Sequence, residues 1–240
     1  MIVIATNNGY DVLPRLLDSI HKHGAGKHNV VVVDTGSTHD NAKNLFAGLH
    51  TVPYSFGRVC TMQINGGYET GAFVAAYRAF KNIPRGNRDY FLPDGTHEET
   101  LICLQDSVEV ISDDWIQRFE QKLRHPLGAV AWVTWHPFFF CGQPEEEMVR
   151  QKFGTENLPD FGIFGSIFAT TYDTMEEVEK AGYFDPLPQS KLDSCVMERA
   201  WSIAFHRLGI PVSALAPNGY HVLVTGGEVP IMRKIFRGRS

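Results

Sequence analysis

The sequence is poor in cysteine and in long apolar runs, and these two absences exclude several classes of protein. Four cysteines stand far apart among the 240 residues, without a Cys-x-x-Cys pair. We therefore expect reduced thiols, and neither a disulfide framework nor a structural zinc site. No apolar stretch approaches the length that crosses a bilayer, and Asp11 and Arg15 interrupt the apolar start of the chain. We predict a cytoplasmic protein without a secretory signal.

Positive charge is also scarce, except at the C-terminus. The net charge is −5, which argues against a protein that binds nucleic acid. The last ten residues nevertheless hold four basic side chains and no acidic one: Arg233, Lys234, Arg237 and Arg239. We predict a basic C-terminal tail over residues 233–240. Two interpretations of this tail stay open, a weak peripheral contact with an anionic membrane and a solvated chain end.

A third absence concerns phosphate binding. Neither a P-loop nor a dinucleotide-binding glycine fingerprint follows the first apolar run, Ile2–Thr6, which leads instead into Asn7-Asn8-Gly9. A dinucleotide oxidoreductase is therefore disfavoured. A nucleotide in this protein would have to be held by side chains and a metal ion.

Strand and helix patterns alternate in the first half of the chain. Leu13, Leu16, Leu17 and Ile20 recur at helical spacing after the first strand, and Val30–Val33 is an uninterrupted apolar run. Such runs are typical of strands that are buried on both faces of a parallel sheet. The alternation predicts an α/β fold in one domain, with a mostly parallel central sheet flanked by helices on both faces.

Shorter patterns predict further segments. Residues 42–49 are predicted to form a helix, residues 51–54 a weaker strand, residues 81–100 an irregular insertion, and residues 141–160 a mobile surface segment. Thr174 opens a capping-box pattern, which predicts that a short helix begins there.

Polar clusters follow three of the predicted strands. They are Thr6-Asn7-Asn8, Asp34-Thr35-Gly36-Ser37 and Gln105-Asp106-Ser107. Because ligands of open parallel sheets lie beyond the carboxyl ends of the strands, we expect these clusters to meet at one edge. Their amides and carboxylates are suited to hydrogen-bond a base and a ribose, while a further carboxylate holds a divalent cation on a diphosphate.

Five segments resemble, in the same order, the motifs of family 2 glycosyltransferases, and together they span about residues 1–212. Residues 5–20 resemble the first strand and helix of that family, and residues 31–40 resemble its second strand and Asp-x-Gly-Ser-x-x-Asp turn. Residues 104–115 resemble the strand with the metal-binding Asp-x-Asp, and residues 165–185 the segment that leads to the acceptor site. Leu192-Asp193 and Arg199 resemble the Glu-Asp pair and the following arginine of the catalytic helix.

The resemblance implies a single GT-A domain over residues 1–232, with a nucleotide-binding half (1–110) and an acceptor half (111–232). It implies the transfer of a sugar from a nucleotide-diphosphate donor, by preference UDP-linked, to an acceptor hydroxyl. The acceptor would be a glycan, a protein or a lipid-linked compound.

The resemblance also assigns roles to single residues. The residues that it places at the nucleotide are Thr6, Asn7, Asn8, Asp34, Gly36 and Gln105. It makes Asp106 the ligand of Mn²⁺ or Mg²⁺ and Asp193 the general base of an inverting transfer. From the residues themselves, His221 is a further candidate metal ligand, and Trp135 and His136 are candidates for the acceptor site.

Each assignment has a structural alternative. Asp34 is also suited to cap its own turn, and Asp193 to cap a helix that begins at Ser194. Arg199 faces a phosphate in one interpretation and is an exposed helix charge in the other. A histidine after a Gly-Tyr loop, such as His221, is often purely structural.

The sequence departs from the family pattern at several positions. Gln105 and Ser107 stand at the outer acid positions of Asp-x-Asp, so only Asp106 remains. Ala72-Phe73 stands where many members have Arg-Asn, and Leu192 replaces the first acid of the Glu-Asp pair. Two other functions therefore stay open. One is a catalytically degenerate domain that binds a nucleotide sugar, and the other is a sugar nucleotidyltransferase, although residues 6–11 lack the basic residue that this enzyme would need.

Overall fold

A computed structural model of the chain describes residues 1–9, 11–26, 28–38, 59–81, 100–225 and 228–235, with the single positions 40, 43 and 49. The strands are β1 (Ile2–Thr6), β2 (Val30–Asp34), β3 (Val59–Gln63), β4 (Thr100–Gln105), β5 (Val108–Val110), β6 (Ala129–Trp135), β7 (Gly162–Ile163), β8 (Phe168–Thr171), β9 (Val212–Ala216) and β10 (Met232–Lys234). The helices are α1 (Leu13–His23), α2 (Tyr68–Lys81), α3 (Trp115–Lys122), α4 (Gln143–Phe153), α5 (Tyr172–Lys180), α6 (Lys191–Arg207) and α7 (Tyr220–Val224), and Phe164–Ser166 forms a 3-10 turn.

One mixed sheet contains eight of these strands. Their order is β3-β2-β1-β4-β8-β6-β7, with β9 beside β6. Strands β1 to β4 pair in parallel, and so do β6 and β9, whereas β8 runs antiparallel to both β4 and β6. Strand β7 is antiparallel to β6. The predicted α/β fold with a mostly parallel central sheet is therefore confirmed.

The side chains of alternate residues in the central strands are buried on opposite faces of the sheet. Ile2 and Ile4 belong to the same apolar core as the buried face of α1 and the aromatic residues of α3. Val3 and Ala5 belong to the core that is shared with α2, α5 and α6. Because the side chains of a strand alternate in direction, a continuous apolar run is required to fill both cores. The run Val30–Val33 meets this requirement in β2.

The start of the predicted basic tail is instead a strand. Met232–Lys234 forms β10, which pairs antiparallel with β5, and Lys234 lies opposite Val108. The prediction of a free tail from residue 233 is therefore wrong for Arg233 and Lys234, because their backbone completes a two-stranded sheet. Arg237 and Arg239 lie outside the described residues.

The segment predicted to be mobile contains helix α4. Pro144 lies in its first turn, together with Glu145 and Glu146, and its buried residue Val149 packs against Val196 and Ile203 of α6. Polar composition favoured a loop, but Pro at a helix start and acidic residues in the first turn are favourable for a helix. The predicted helix at residues 42–49, the strand at 51–54 and the insertion at 81–100 fall largely outside the described residues.

A buried ion pair joins α4 to α6. The Nε atom of Arg199 lies 2.7 Å from Glu145 Oε1, and both side chains are 3% exposed. The guanidinium also lies 4.5 Å from the centre of the Trp135 ring. Arg199 is therefore neither an exposed helix charge nor free to meet a phosphate, and both sequence interpretations of it are wrong.

Within the described residues, no helix is both long enough and apolar enough to span a bilayer.

We expect Arg199→Met to lower the free energy of unfolding by about 3–5 kcal/mol, because it leaves the Glu145 carboxylate buried without a counter-charge. Urea unfolding followed by circular dichroism measures the change. Arg150→Gln is the matched control, since it breaks an exposed pair with Glu146 on α4 and a contact with the Phe140 ring, and it should cost less than about 1 kcal/mol. Equal effects of the two variants would contradict a stabilising role for the buried pair.

Candidate active site

A pocket of about 360 Å³ opens beyond the carboxyl ends of β1 and β4. The register pairs Thr6 with Asp34 and Ala5 with Gln105, which brings the ends of three parallel strands to one edge. The described residues that line the pocket are Ala5, Thr6, Asn7, Thr35, Tyr68, Glu69, Gln105, Asp106, Ser107, Lys191, Lys234 and Ile235. Polar ends of β1 and β4 therefore meet there, as their positions after buried strands predicted.

The turn after β4 forms the floor of the pocket. Thr6 Oγ1 donates a hydrogen bond of 2.8 Å to Asp106 Oδ2, which joins the end of β1 to this turn. Lys234 Nζ donates to Gln105 Oε1 at 2.6 Å and to Ser107 Oγ at 2.8 Å. A half-buried ammonium thus lies against the turn on which the metal ligand was predicted.

Gly9 makes the contact between Thr6 and Asp106 possible. A Cβ atom at this position would overlap both Thr6 Oγ1 and Asp106 Oδ2. Since the turn after β1 is packed directly against the carboxylate of Asp106, residue 9 has to be glycine here. The sequence shows this glycine only as part of a turn cluster.

Helices α2 and α6 supply the opposite wall. Glu69 of α2 accepts a hydrogen bond from Gln105 Nε2 at 3.2 Å and another from Ser194 Oγ at 3.0 Å. Lys191 begins α6 and lines the same pocket. Glu198 follows Lys191 by seven residues, which is about two helical turns, so it lies on the same face of α6.

Two ionisable groups of this site have strongly shifted pKa values. Burial lowers the pKa of Lys234 to about 8, and the attraction of Asp106 only partly offsets this effect. Burial raises the pKa of Glu198 to about 7, and repulsion by Glu69 adds to the increase. The cations Arg199, Lys191 and Lys234 act on Glu198 in the opposite direction. Groups with such pKa values are common in catalytic sites, although structural charge networks also produce them.

The predicted nucleotide-binding residues are only partly assembled. Thr6, Asn7 and Gln105 line the pocket. Asn8 holds the neighbouring turn, because its Oδ1 accepts from Thr38 N at 3.1 Å and its backbone N–H donates to Ser37 Oγ at 2.6 Å.

Asp34 is fully buried beneath this rim. Its Oδ1 accepts from the backbone N–H of Ser37 at 3.0 Å and from the Ser37 hydroxyl at 2.5 Å. Its Oδ2 accepts from Gln63 at 3.3 Å. Gly36 has a φ of 108°, which completes the turn. In this structure Asp34 therefore caps its own turn, which is the structural alternative to the predicted contact with a nucleotide.

The predicted base Asp193 lies outside the pocket of β1 and β4. Ser190 caps helix α6 by accepting from Asp193 N, and Asp193 Oδ2 accepts from the backbone N–H groups of Gln189 and Ser190. Asp193 is therefore the fourth residue of a capping box rather than the helix N-cap.

Helix α5 also begins earlier than predicted, with Thr171 as its N-cap.

The two residues predicted for the acceptor site, Trp135 and His136, differ in exposure. Trp135 is 3% exposed, and its ring packs against Phe139, Tyr220 and the backbone of Gly162. A sugar cannot stack on a ring that is covered in this way, so the prediction for Trp135 is corrected. His136 is exposed, with its ring 6.3 Å from that of Phe161.

The residues at the pocket do not fit a divalent cation well. Within the part of the chain that is described, no three His, Cys, Asp or Glu side chains lie close enough to hold a metal. His221 is exposed on α7 and does not line the pocket with Asp106. The Lys234 ammonium is bonded to both residues that flank Asp106, and it would repel a metal ion there.

Comparison with solved structures decides the fold. No family model and no curated protein matches the sequence. The galactosyltransferase LgtC, in complex with donor and acceptor sugar analogs, matches with a TM-score of 0.52 at 13% identity, over 98% of this chain and 87% of that one. S. aureus TarS in complex with UDP-GlcNAc matches with a TM-score of 0.52 at 11% identity, over 100% of this chain and 59% of that one.

The protein has the GT-A fold.

A further match, to glucosyl-3-phosphoglycerate synthase from Mycobacterium tuberculosis with Mn²⁺, UDP and phosphoglyceric acid, has a TM-score of 0.48 at 14% identity, over 99% of this chain and 70% of that one. Because likeness at these identities shows the fold alone, membership of family 2 stays a prediction. Three charged residues that sequence reasoning did not assign to the site line the pocket of β1 and β4, namely Glu69, Lys191 and Lys234, and Glu198 interacts electrostatically with all three. Their helical or terminal positions carried no motif, and only the fold brings them together.

We expect Gly9→Ala to lower the free energy of unfolding by about 1–3 kcal/mol, because the new methyl group would displace Asp106 or Thr6. Thermal unfolding measures the loss. Gly128→Ala is the matched control, since a Cβ there finds its nearest neighbour at 3.6 Å, an ordinary contact. A Gly9→Ala protein as stable as the control variant would disprove the close packing of Gly9 on Asp106.

Proposed function

We propose that the protein is a glycosyltransferase that moves a sugar from a nucleotide-diphosphate donor, by preference a UDP-sugar, to an acceptor hydroxyl. The observation that supports this proposal best is the pocket beyond β1 and β4, where Thr6, Asp106 and two lysines converge in a GT-A fold. LgtC and TarS, which share the fold, are described with a donor sugar analog and with UDP-GlcNAc.

The donor is proposed to lie with its nucleoside near the end of β1 and its diphosphate near the turn after β4. Asn7 and Thr35 line the first region, and their amide and hydroxyl groups are suited to hydrogen-bond a base or a ribose. Lys191 and Lys234 line the second region, where positive charge attracts a diphosphate. The lysines distinguish this arrangement from a site for a neutral ligand.

We propose Glu198 as the general base, in place of Asp193. A base works best when its pKa lies near the working pH, and burial places the pKa of Glu198 at about 7. Its side chain is 20% exposed, and it interacts electrostatically with the pocket residues Glu69, Lys191 and Lys234. Hydrogen bonding with the side chain of Ser190, in contrast, lowers the pKa of Asp193, and the backbone N–H groups of Gln189 and Ser190 that this carboxylate accepts lower it further.

The proposed reaction is a single displacement. The carboxylate of Glu198 takes the proton of the acceptor hydroxyl while the acceptor oxygen forms a bond with the anomeric carbon. The bond between that carbon and the donor phosphate oxygen breaks, and its electron pair leaves with the nucleoside diphosphate. Attack from the face opposite the leaving group inverts the anomeric configuration.

A domain that binds a nucleotide sugar without turnover is the second candidate. The observation in its favour is the loss of both outer acids around Asp106, now Gln105 and Ser107. Binding without transfer or hydrolysis, in every combination of donor and acceptor tried, would identify this function.

We expect UDP and UDP-sugars to raise the midpoint of thermal unfolding, because a ligand that binds only the folded chain stabilises it. A thermal-shift screen of UDP-, GDP- and dTDP-sugars measures the effect, and adenosine monophosphate serves as the control for unspecific binding. No shift with any nucleotide diphosphate at millimolar concentration would refute the proposed donor class.

We expect Glu198→Gln to reduce transfer about 100-fold or more, as loss of general base catalysis does. Wild-type activity should rise with pH through about 7, since Glu198 must be ionised, and the variant should lose this dependence. The pH at which activity rises depends on the charged groups that act on the Glu198 carboxyl group, which are Glu69, Arg199, Lys191 and Lys234.

Asp193→Ala is the comparison variant. It removes a capping-box partner, so it should lower stability by about 1 kcal/mol and leave most of the transfer activity. Transfer that is lost in Asp193→Ala and retained in Glu198→Gln would return the role of base to Asp193. Donor binding by both variants, measured by calorimetry, separates loss of the base from loss of the site.

A further inference from the structure

We infer that the ammonium of Lys234 takes the place of the divalent cation in this protein and neutralises the diphosphate of the donor. This inference rests on the proposed function, because it concerns how the same pocket holds a nucleoside diphosphate. It assigns a direct contact with the substrate to Lys234, which lies outside the part of the sequence that resembles the family (residues 1–212).

The position of the ammonium is the first observation. Gln105 and Ser107 stand where the resembling family has the outer acids of its metal-binding motif. Both side chains accept a hydrogen bond from the same Lys234 Nζ atom, at 2.6 and 2.8 Å. The two substitutions therefore replace carboxylates, which bind metal ions, with neutral oxygens that hold an ammonium.

The backbone fixes this lysine in place. Lys234 lies opposite Val108 in the pairing of β10 with β5, directly after the turn of Gln105 to Ser107. The backbone N–H of Ile235 also donates to Ser107 O at 2.9 Å. A lysine held by its own strand loses less conformational freedom when it binds a phosphate than a lysine on the open surface does.

The remaining capacity of the ammonium is suited to a phosphate. An ammonium has three N–H donors, and the described residues engage two of those of Lys234, at Gln105 and Ser107. The third is available to a phosphate oxygen in the pocket. Lys191, on the opposite wall, supplies a second positive charge near the same space.

The charge of the leaving group explains why a cation is required. When the bond from the anomeric carbon to the phosphate oxygen breaks, the electron pair stays on the diphosphate and adds negative charge there. A positive group held in place near this oxygen stabilises the transition state more than it stabilises the bound donor. Lys234 and Lys191 supply that charge without a metal ion.

The test compares nucleotide binding with and without metal. Wild-type protein treated with EDTA is titrated with UDP and with GDP by calorimetry, in buffer with EDTA and in buffer with Mn²⁺. We expect a dissociation constant that agrees within about twofold between the two buffers. Lys234→Met should weaken binding at least about tenfold in both buffers, because one charge-assisted hydrogen bond is lost.

Arg233→Gln is the matched control. It removes the neighbouring cation on the same strand, which pairs with Glu109 at 2.6 Å and does not line the pocket, so binding should stay unchanged. Thermal unfolding shows whether Lys234→Met is folded, and the wild-type comparison does not depend on that variant.

Three results would overturn the inference. The first is UDP and GDP binding by wild-type protein that EDTA abolishes and Mn²⁺ restores. The second is nucleotide binding by a folded Lys234→Met protein as tight as that of wild type. The third is no binding of either nucleotide by wild type in either buffer, a result that refutes a UDP- or GDP-linked donor as well.

Discussion

The position of β1 between β2 and β4 is the constraint on which the rest of the site depends. In its parallel register with both neighbours, Thr6 is paired with Asp34 and Ala5 is paired with Gln105. The hydrogen bond from Thr6 to Asp106 follows from that register, and Gly9 leaves room for it. A shift of β1 by one residue would turn every one of its side chains to the other face of the sheet. The pocket and the two apolar cores therefore both depend on the same register of β1.

The central strands and the polar edge could be predicted from the sequence because both depend on local patterns. A run such as Val30–Val33 has to be buried wherever it lies, and polar residues directly after it have to lie at the sheet edge. Local patterns do not show which contacts a polar side chain makes in the folded chain. Asp34 is satisfied by Ser37 and Gln63 beneath the rim, and the polar segment of α4 is helical because Arg199 and the α6 surface bind it.

The chemistry of the pocket could not be predicted in full, because its charged groups come from distant parts of the chain. Lys234 is separated from Gln105 by 129 residues and Ser194 from Glu69 by 125, and neither pair shows any sequence pattern. The difference of Gln105 and Ser107 from the outer acids of the family 2 motif is visible in the sequence only as a departure from the resemblance. Only the structure shows that both of these neutral side chains accept hydrogen bonds from one ammonium, that of Lys234. Gln105, Ser107 and Lys234 therefore form one hydrogen-bonded group.

The pairing of β10 with β5 also has a consequence for how the protein is synthesised. The β-α-β units of the sheet can form from the first part of the chain as it leaves the ribosome, since domains begin to fold from their N-terminal side. The pocket, however, acquires Lys234 only after every described strand of the central sheet has been synthesised, since β10 follows β9 in the chain. A chain in which the central sheet has formed but β10 has not yet emerged would therefore lack this cation at the pocket.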